Sequence, residues 1–217
     1  MEELKVVLVD FCKVNLKADY DWYHWEIKDK YLPKGIELSL ESRINRNLSL
    51  KEQLHSKWSE SGEITKGDLI EYYIVKWGGI KGNKKETLNV YKTSSAEKLI
   101  NRRTSGVSSW SKALVLHDCN KYAIFDSRVS CSLNYLQVLN NTKEKILFPI
   151  LLSQNKKITI ANKQLKQISK NWVKLENDKF YELYLSLLKE TAKELNINIS
   201  MIEMLLFAKA TELIDKV

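Results

Sequence analysis

The chain has 217 residues, of which 44% are hydrophobic and 29% charged, and this composition is typical of a globular protein that buries a core. Apolar runs stay well short of the ~20 residues that span a bilayer, so we expect no membrane partner. Only seven Gly and two Pro occur, which favours a mainly α fold because β-turns and long coil need more of both.

Cysteine and histidine usage argues against a disulfide or metal framework. Cys12, Cys119 and Cys131 cannot form a complete set of disulfides, and no pair has CxxC spacing. The three histidines are scattered without the spacing of metal ligands, and we predict no metal site. The N-terminus lacks the basic start and cleavage site of a signal peptide. We therefore expect a reducing, cytoplasmic location.

Residues 1–62 are predicted to form a mostly helical N-terminal segment. Its aromatic cluster has two interpretations, core packing, which is the more frequent, or a platform for base stacking. The cluster comprises Tyr20, Trp22, Tyr23 and Trp25. Ser49 and Glu52 have the spacing of a capping box and predict a helix start. The polar stretch 59–62 predicts a boundary before a second domain, residues 63–217.

Further helix starts are predicted where a Ser or Thr precedes an acidic residue by three positions. The pairs are Thr65 with Asp68, Ser94 with Glu97, and Ser200 with Glu203. The apolar stretch 69–77 is predicted to be a buried helix that stops at Gly78. Apolar residues at helical spacing predict one helix from Asp126 to Asn140 and another, amphipathic helix around residues 180–188.

Positive charge is concentrated between Lys76 and Lys112. This stretch holds nine Lys or Arg and two Glu, and so carries +7 of the net charge of +8. Within it, Gly106 is predicted to turn the chain between two helices, the second of which begins at Ser108 or Ser109. The N-terminus of a helix favours an anion, although most glycine turns are ordinary helix–helix corners. The basic surroundings favour a phosphate backbone as the ligand.

Asp126 lies twenty residues after Gly106, directly behind the apolar segment 123–125. The more frequent function of an Asp at this place is to cap a helix by accepting the N–H of Arg128 or Val129. A carboxylate near a bound phosphodiester also stabilises positive charge that develops on a sugar, or activates a nucleophile. Both interpretations stay open from the residues alone.

Two motifs in this order resemble the helix-hairpin-helix DNA glycosylase superfamily. Thr104–Ser108 corresponds to its Leu-Pro-Gly-Val-Gly hairpin, and Phe125–Val129 to the Val-Asp-Thr-His-Val type segment some twenty residues later. Glu203–Ala210 is similar to the last helix of the 8-oxoguanine glycosylase branch. The resemblance covers residues 65–217 and implies a mainly α, helix-hairpin-helix glycosylase-like bundle with a smaller N-terminal segment.

The resemblance implies that the protein binds double-stranded DNA and hydrolyses the N-glycosidic bond of a damaged or modified base, an oxidised purine in that branch, after base flipping. Asp126 would stabilise the oxocarbenium-like sugar, and Lys112 is the candidate for a Schiff-base nucleophile. Phe207 would stack on the flipped base, and Glu203 would read its edge. The residues expected to contact DNA are Arg102, Arg103, Gly106, Val107, Ser108 and Arg128. A monovalent cation at the hairpin is the one cofactor implied.

Two departures from the family pattern keep alternatives open. Trp110 stands where bifunctional members place the Schiff-base lysine, and Ser108 replaces the second hairpin glycine. These departures favour a non-catalytic DNA-binding protein that retains the fold. A third interpretation is a helical module whose basic face contacts acidic protein or RNA. The sequence identifies no particular protein partner.

Overall fold

The computed structural model describes residues 1–16, 22–39 and 42–217, and in this part of the chain the protein is mainly helical. The α-helices are α1 (Glu2–Asn15), α2 (Arg43–Glu60), α3 (Glu63–Glu71), α4 (Lys85–Thr93), α5 (Ala96–Ile100), α6 (Val107–His117), α7 (Ser127–Leu139), α8 (Lys156–Ile168), α9 (Phe180–Leu195) and α10 (Ile199–Asp215). A 3₁₀ turn covers Asp29–Tyr31, and a π-helical turn, Tyr72–Trp77, continues α3. Strands β1 (Ile146–Leu147) and β2 (Val173–Lys174) pair in parallel. The predicted mainly α fold is confirmed.

The chain divides into two units. The discontinuous unit combines Met1–Trp22 with Phe125–Val217, and the central unit is Tyr23–Ile124. Helix α1 belongs with the C-terminal helices because its buried face, which includes Leu4, Leu8 and Cys12, packs on α9 and α7. The predicted boundary between residues 62 and 63 falls inside the central unit, where Gly62 is the N-cap of α3.

Helix α7 is the centre of the discontinuous unit, and α1, α8 and α10 pack on it. All residues from Val129 to Gln137 are buried, so this helix has no solvent-exposed face along its middle. A helix buried on all sides needs either apolar side chains or polar ones whose hydrogen bonds are satisfied by its neighbours. α7 uses both.

The polar side chains of α7 bind the backbone of the elements around it. Asn134 donates to Phe148 O (3.1 Å) and accepts from Phe148 N (3.0 Å), while Gln137 donates to Ile146 O (2.8 Å) and accepts from Ile146 N (2.7 Å). These two amides therefore pair with the strand segment as a neighbouring strand would. Ser132 donates to the Leu206 carbonyl on α10 at 2.5 Å. Burial without these partners would cost each polar group about 1–3 kcal/mol.

In the central unit, α6 packs on α2, α4, α5 and the π-helical turn. The residues of α6 from Ser109 to Leu116 are buried. Gly78 allows the close packing of the π-helical turn, because a Cβ there would lie 2.8 Å from the Lys112 Cε and 2.7 Å from the Ile74 carbonyl oxygen. The predicted stop of this helical stretch at Gly78 is confirmed.

The predicted capping boxes were wrong in register. Ser49 lies within α2, whose cap is Ser42, and Thr65 lies within α3. The caps in the structure are Ser42, two turns of helix before Ser49, Ser95, which follows Ser94, and Asn198, which shortly precedes Ser200. Each of these caps is also a short polar side chain, as capping requires. The path of the preceding chain decides which of several such residues becomes the cap.

Within residues 1–16, 22–39 and 42–217, no helix is both long and apolar enough to cross a membrane.

Replacing Asn134 by Leu should destabilise the protein by about 2–5 kcal/mol, because it leaves the buried N–H and C=O of Phe148 without partners. Urea unfolding measures the effect. Asn140→Ala is the control, since that amide bonds to the Leu136 carbonyl of its own helix and we expect a change of about 1 kcal/mol or less. Equal effects of the two substitutions would contradict this account.

Candidate functional site

Asp126 is the N-cap of α7. Its Oδ1 accepts hydrogen bonds from Arg128 N at 2.9 Å and Val129 N at 3.1 Å, as the sequence predicted. Both bonds go to one oxygen, which leaves Oδ2 as the oxygen not used in capping. The backbone before it is fixed by Phe125, whose buried ring lies 5.0 Å from that of Tyr184 and 5.1 Å from that of Phe180.

Glu203 and Phe207 lie one turn apart on α10, which packs closely on α7. Glu203 is 2% exposed, and Phe207 is half-buried. Residues four apart share one face of a helix, so the predicted base-reading and base-stacking side chains occupy the same side of α10. A buried carboxylate on such a face has a functional explanation more often than an exposed one.

Tyr184 on α9 joins these residues and was missed at the sequence level. Burial raises the pKa of Tyr184 well above its usual value. Electrostatic interactions with Glu203, Tyr181 and Asp126 raise it further. The Tyr184 hydroxyl is therefore in the electrostatic field of both predicted functional carboxylates. Its position in an amphipathic pattern predicted only core packing, and no sequence signal distinguished it from its neighbours.

Arg128 lies on the ring of Phe207, with 5.0 Å between the guanidinium carbon and the ring centroid. This distance is that of a cation–π contact. Asp126, Arg128, Glu203 and Phe207 all belong to the discontinuous unit, at the junction of α7 with α10. We call this group, together with Tyr184, the Asp126 cluster.

The predicted hairpin lies in the central unit, between α5 and α6. Gly106 has a φ of +70° and is the N-cap of α6. A Cβ at this position would lie 2.5 Å from the Tyr91 hydroxyl, so the turn requires glycine for two independent reasons. Val107 and Ser108 are the first residues of α6, and the first hydrogen bonds to Gly106 O come from Ser109 N and Trp110 N.

Arg102 and Arg103 form the turn that precedes Gly106. The Arg102 guanidinium lies over the ring of Tyr91, 5.4 Å from the ring centroid. Burial raises the pKa of Tyr91, and the charge and hydrogen bond of Arg102 oppose that shift. Arg103 is exposed and has a φ of +57°, a left-handed conformation that costs a non-glycine residue about 1–2 kcal/mol.

Trp110 and Lys112 are both buried parts of the hairpin. Trp110 Nε1 donates to the Arg103 carbonyl at 3.2 Å, and Lys112 Nζ donates to the Ser108 carbonyl at 2.8 Å. Lys112 is 5% exposed, and its stem packs against Gly78. Trp110 thus holds the turn through its indole N–H, and the Lys112 ammonium hydrogen-bonds the first turn of its own helix.

The basic loop before α4 is attached to the hairpin helix. Asn83 Nδ2 donates to Ser109 Oγ at 2.9 Å, three residues after Gly106. The loop carries Lys81, Lys84 and Lys85. Two segments that supply most of the positive charge between Lys76 and Lys112 are therefore joined at the N-terminal turn of α6.

The hairpin carbonyls offer a poor fit to a bound cation. Those of Arg103 and Ser108 already accept hydrogen bonds from Trp110 and Lys112, and the Lys112 ammonium brings its own positive charge. The monovalent cation stays a prediction. Across the described residues, no group of three or more His, Cys, Asp or Glu side chains is placed to hold a metal ion.

Comparison of the chain with protein-family models, with curated proteins and with solved structures gives no match.

Replacing Gly106 by Ala should destabilise the protein by at least about 1–2 kcal/mol, the cost of a left-handed backbone, with a further cost from the contact with Tyr91. Adding Tyr91→Phe removes the hydroxyl but not the backbone strain, so the double variant should recover part of the loss in a double-mutant cycle. Unfolding in urea gives both values. Gly82→Ala is the control, because a Cβ there meets nothing within 4 Å. Additive effects of the two substitutions would contradict the proposed contact.

Proposed function

We propose that the protein binds double-stranded DNA and excises a modified base by hydrolysis of the N-glycosidic bond, in a helix-hairpin-helix glycosylase-like bundle. The observation that carries the proposal is the Asp126 cluster. Asp126 caps α7 through Oδ1, its neighbour Arg128 lies on the ring of Phe207, and both Asp126 and the buried Glu203 act electrostatically on Tyr184.

Asp126 is the group to which the proposal assigns the chemistry. Positive charge develops on the sugar as the bond to the base breaks, and a fixed carboxylate stabilises that charge. Water adds its oxygen to the sugar C1′, the base leaves with the bonding electron pair, and the water proton passes to Asp126 and from there through solvent to the base. Capping through Oδ1 keeps the carboxylate oriented without occupying Oδ2.

The remaining members of the cluster suit a purine base. The Phe207 ring carries a cation–π contact with Arg128, and a flipped base would replace or extend that stack. The Glu203 carboxylate oxygens are hydrogen-bond acceptors, which match a base edge rich in N–H donors. Oxidation of a purine at C8 adds such a donor at N7, which favours oxidised purines over unmodified ones.

The hairpin supplies the binding to phosphate. The N-terminal end of α6 lies beside Arg102 and Arg103, whose charges attract a phosphate, and the Asn83–Ser109 hydrogen bond keeps the basic loop there. Arg103 adopts a left-handed backbone conformation, which glycine would adopt at a lower energetic cost. A positive charge that interacts with a phosphate accounts for arginine at this strained position.

Hydrolysis without a lysine adduct fits this chain better than lyase chemistry. Trp110 stands at the usual position of the nucleophile and is fully buried, and the Lys112 ammonium is bound to the Ser108 carbonyl. We therefore assign Lys112 a role in holding the hairpin.

The same two residues favour the second candidate function, a DNA-binding protein without catalysis. In that case the hairpin would bind duplex DNA with a salt-dependent affinity, and Asp126 would serve only as a helix cap.

The substitution Asp126→Asn separates the two functions. Asn caps a helix as well as Asp does, so folding and duplex affinity should persist, while single-turnover excision should fall by about 10²–10⁴-fold. The substrates are duplexes that each carry one modified base, 8-oxoguanine first, and the products are resolved after hot alkali. Asp118→Asn is the control, because Asp118 Oδ1 accepts from Asn120 N and Lys121 N in the same pattern. Salt-sensitive binding with no excision from any duplex by the unsubstituted protein would select the second function.

Borohydride should trap no covalent complex between the protein and a cleaved duplex, because the proposed reaction forms no Schiff base. Strand cleavage should accordingly require alkali. A trapped complex that disappears in Lys112→Ala but persists in the exposed-surface variant Lys189→Ala would show that Lys112 is the nucleophile.

A further inference from the structure

A pocket in the central unit is lined by none of the residues of the Asp126 cluster or of the hairpin turn. It has a volume of ≈ 280 Å³. One side is formed by residues 25–31, which end in the 3₁₀ turn, and the other side by the π-helical turn. Its principal walls are Trp25, Lys28, Tyr31, Tyr72, Lys76 and Trp77. Trp25 belongs to the aromatic cluster for which core packing and base stacking both stayed open. Tyr20 of that cluster lies outside the described residues, and Trp22 and Tyr23 are buried.

The indole N–H groups of the two tryptophans point into the protein. Trp25 Nε1 donates to the Trp77 carbonyl at 3.2 Å, and Trp77 Nε1 donates to Asn47 Oδ1 at 3.0 Å. The two rings meet edge to face at 5.9 Å, and Tyr73 covers one face of Trp77 at 4.5 Å. The indoles are therefore fixed, and they present carbon surface to the pocket, as a stacking site for a planar ring requires.

The π-helical turn places three of the pocket residues, Tyr72, Lys76 and Trp77. Gly78 N donates to Tyr73 O at 3.1 Å, which is the wide hydrogen bond of a π-helix. Such turns are rare, and they frequently occur at functional sites because they redirect side chains that an α-helix would place elsewhere. This observation is independent of the aromatic composition of the walls.

The charges at the pocket favour an anion attached to the ring. Lys28 and Lys76 line it, and the ammonium groups of Lys30 and Lys76 lie 5.0 and 5.9 Å from the Tyr31 ring centroid. Glu26 is the one acidic residue in the lining, so the lining has a net positive charge, although Glu71 outside it lies 3.9 Å from the Lys76 ammonium. A cationic ligand such as a methylated lysine would be repelled by these ammonium groups, whereas an anion would be attracted by them.

We propose that this pocket binds one unpaired nucleotide of single-stranded DNA, with the base on Tyr31 and the tryptophans and the phosphate at Lys28 or Lys76. The choice of DNA as the carrier rests on the proposed function, whereas the stacking site itself does not require excision. Every base has a π-face, so the site is expected to be tolerant of sequence. The alternative is that the aromatic residues only pack against one another. That alternative does not explain why Tyr31 is 45% exposed beside two lysines.

The test compares the binding of pentathymidylate with that of the same strand made of abasic residues throughout. Tryptophan fluorescence measures the binding of each strand. Pentathymidylate should quench the fluorescence and bind at least about 10-fold more tightly than the abasic strand, since stacking contributes about that much per base. Tyr31→Ala should weaken pentathymidylate binding by about 5- to 100-fold, and Tyr31→Phe should retain it. Tyr31 is exposed, so both variants are expected to fold.

A second pair of variants tests the phosphate contact. Lys76→Ala should weaken binding and reduce the dependence of log affinity on log salt by about one unit, whereas Lys189→Ala in the discontinuous unit should change neither. Equal affinity for the two strands, or binding unchanged in Tyr31→Ala, would overturn the proposal. Tyr31-dependent binding of a trimethyl-lysine peptide without binding of pentathymidylate would also overturn it. This peptide is included because Asp68 and Glu71, in the neighbouring pocket of ≈ 230 Å³, would attract a cation.

These outcomes are distinct from those of the excision assay. Absence of excision combined with base-dependent binding at Tyr31 would reject the proposed function and keep this site. Excision by the unsubstituted protein with no base-dependent binding would do the reverse.

Discussion

The burial of α7 on all sides is the constraint on which the discontinuous unit depends. A helix in this position must satisfy its polar side chains with the backbone of its neighbours, and Asn134 and Gln137 do so by pairing with the segment around Ile146 to Phe148. Because these bonds are directional and buried, they fix the rotation of α7 about its axis. Asp126 at the N-terminus of that helix is then held in one orientation. The candidate chemistry depends on this rigidity more than on any feature of Asp126 itself.

The hairpin of the central unit is built on a different principle. Its exposed turn is defined by backbone conformation, with Gly106 and Arg103 both at positive φ, and it is supported from below by buried side chains. Tyr91, Trp110 and Lys112 contact Gly106, the Arg103 carbonyl and the Ser108 carbonyl respectively. This support holds the turn in one conformation, so a ligand bound there would need little further ordering of the backbone. Trp110 is part of this support, because its indole N–H donates to the Arg103 carbonyl.

Sequence reasoning was accurate where a local rule has a single solution. A helix cap at Asp126, a stop at Gly78 and a glycine turn at Gly106 each follow from backbone chemistry within a few residues. It was inaccurate where adjacent residues offered equivalent chemistry. Ser94 and Ser95 are equally capable caps, and only the path of the preceding chain selects Ser95. Tyr184 could not be predicted, because an aromatic residue on an amphipathic helix gives the same pattern whether it fills a core or neighbours two carboxylates.

The sequence by itself determined the mainly helical class, the concentration of positive charge and the residues at which the chain turns, since these follow from composition and from short-range backbone preferences. Only the tertiary structure decided that α1 packs with the C-terminal helices, that Lys112 is committed to the hairpin, and that Trp25 lines a pocket with Tyr31 and Trp77. Each of these depends on contacts between residues far apart in the chain. Such contacts are selected by the packing of whole helices, and no local pattern of residues encodes them.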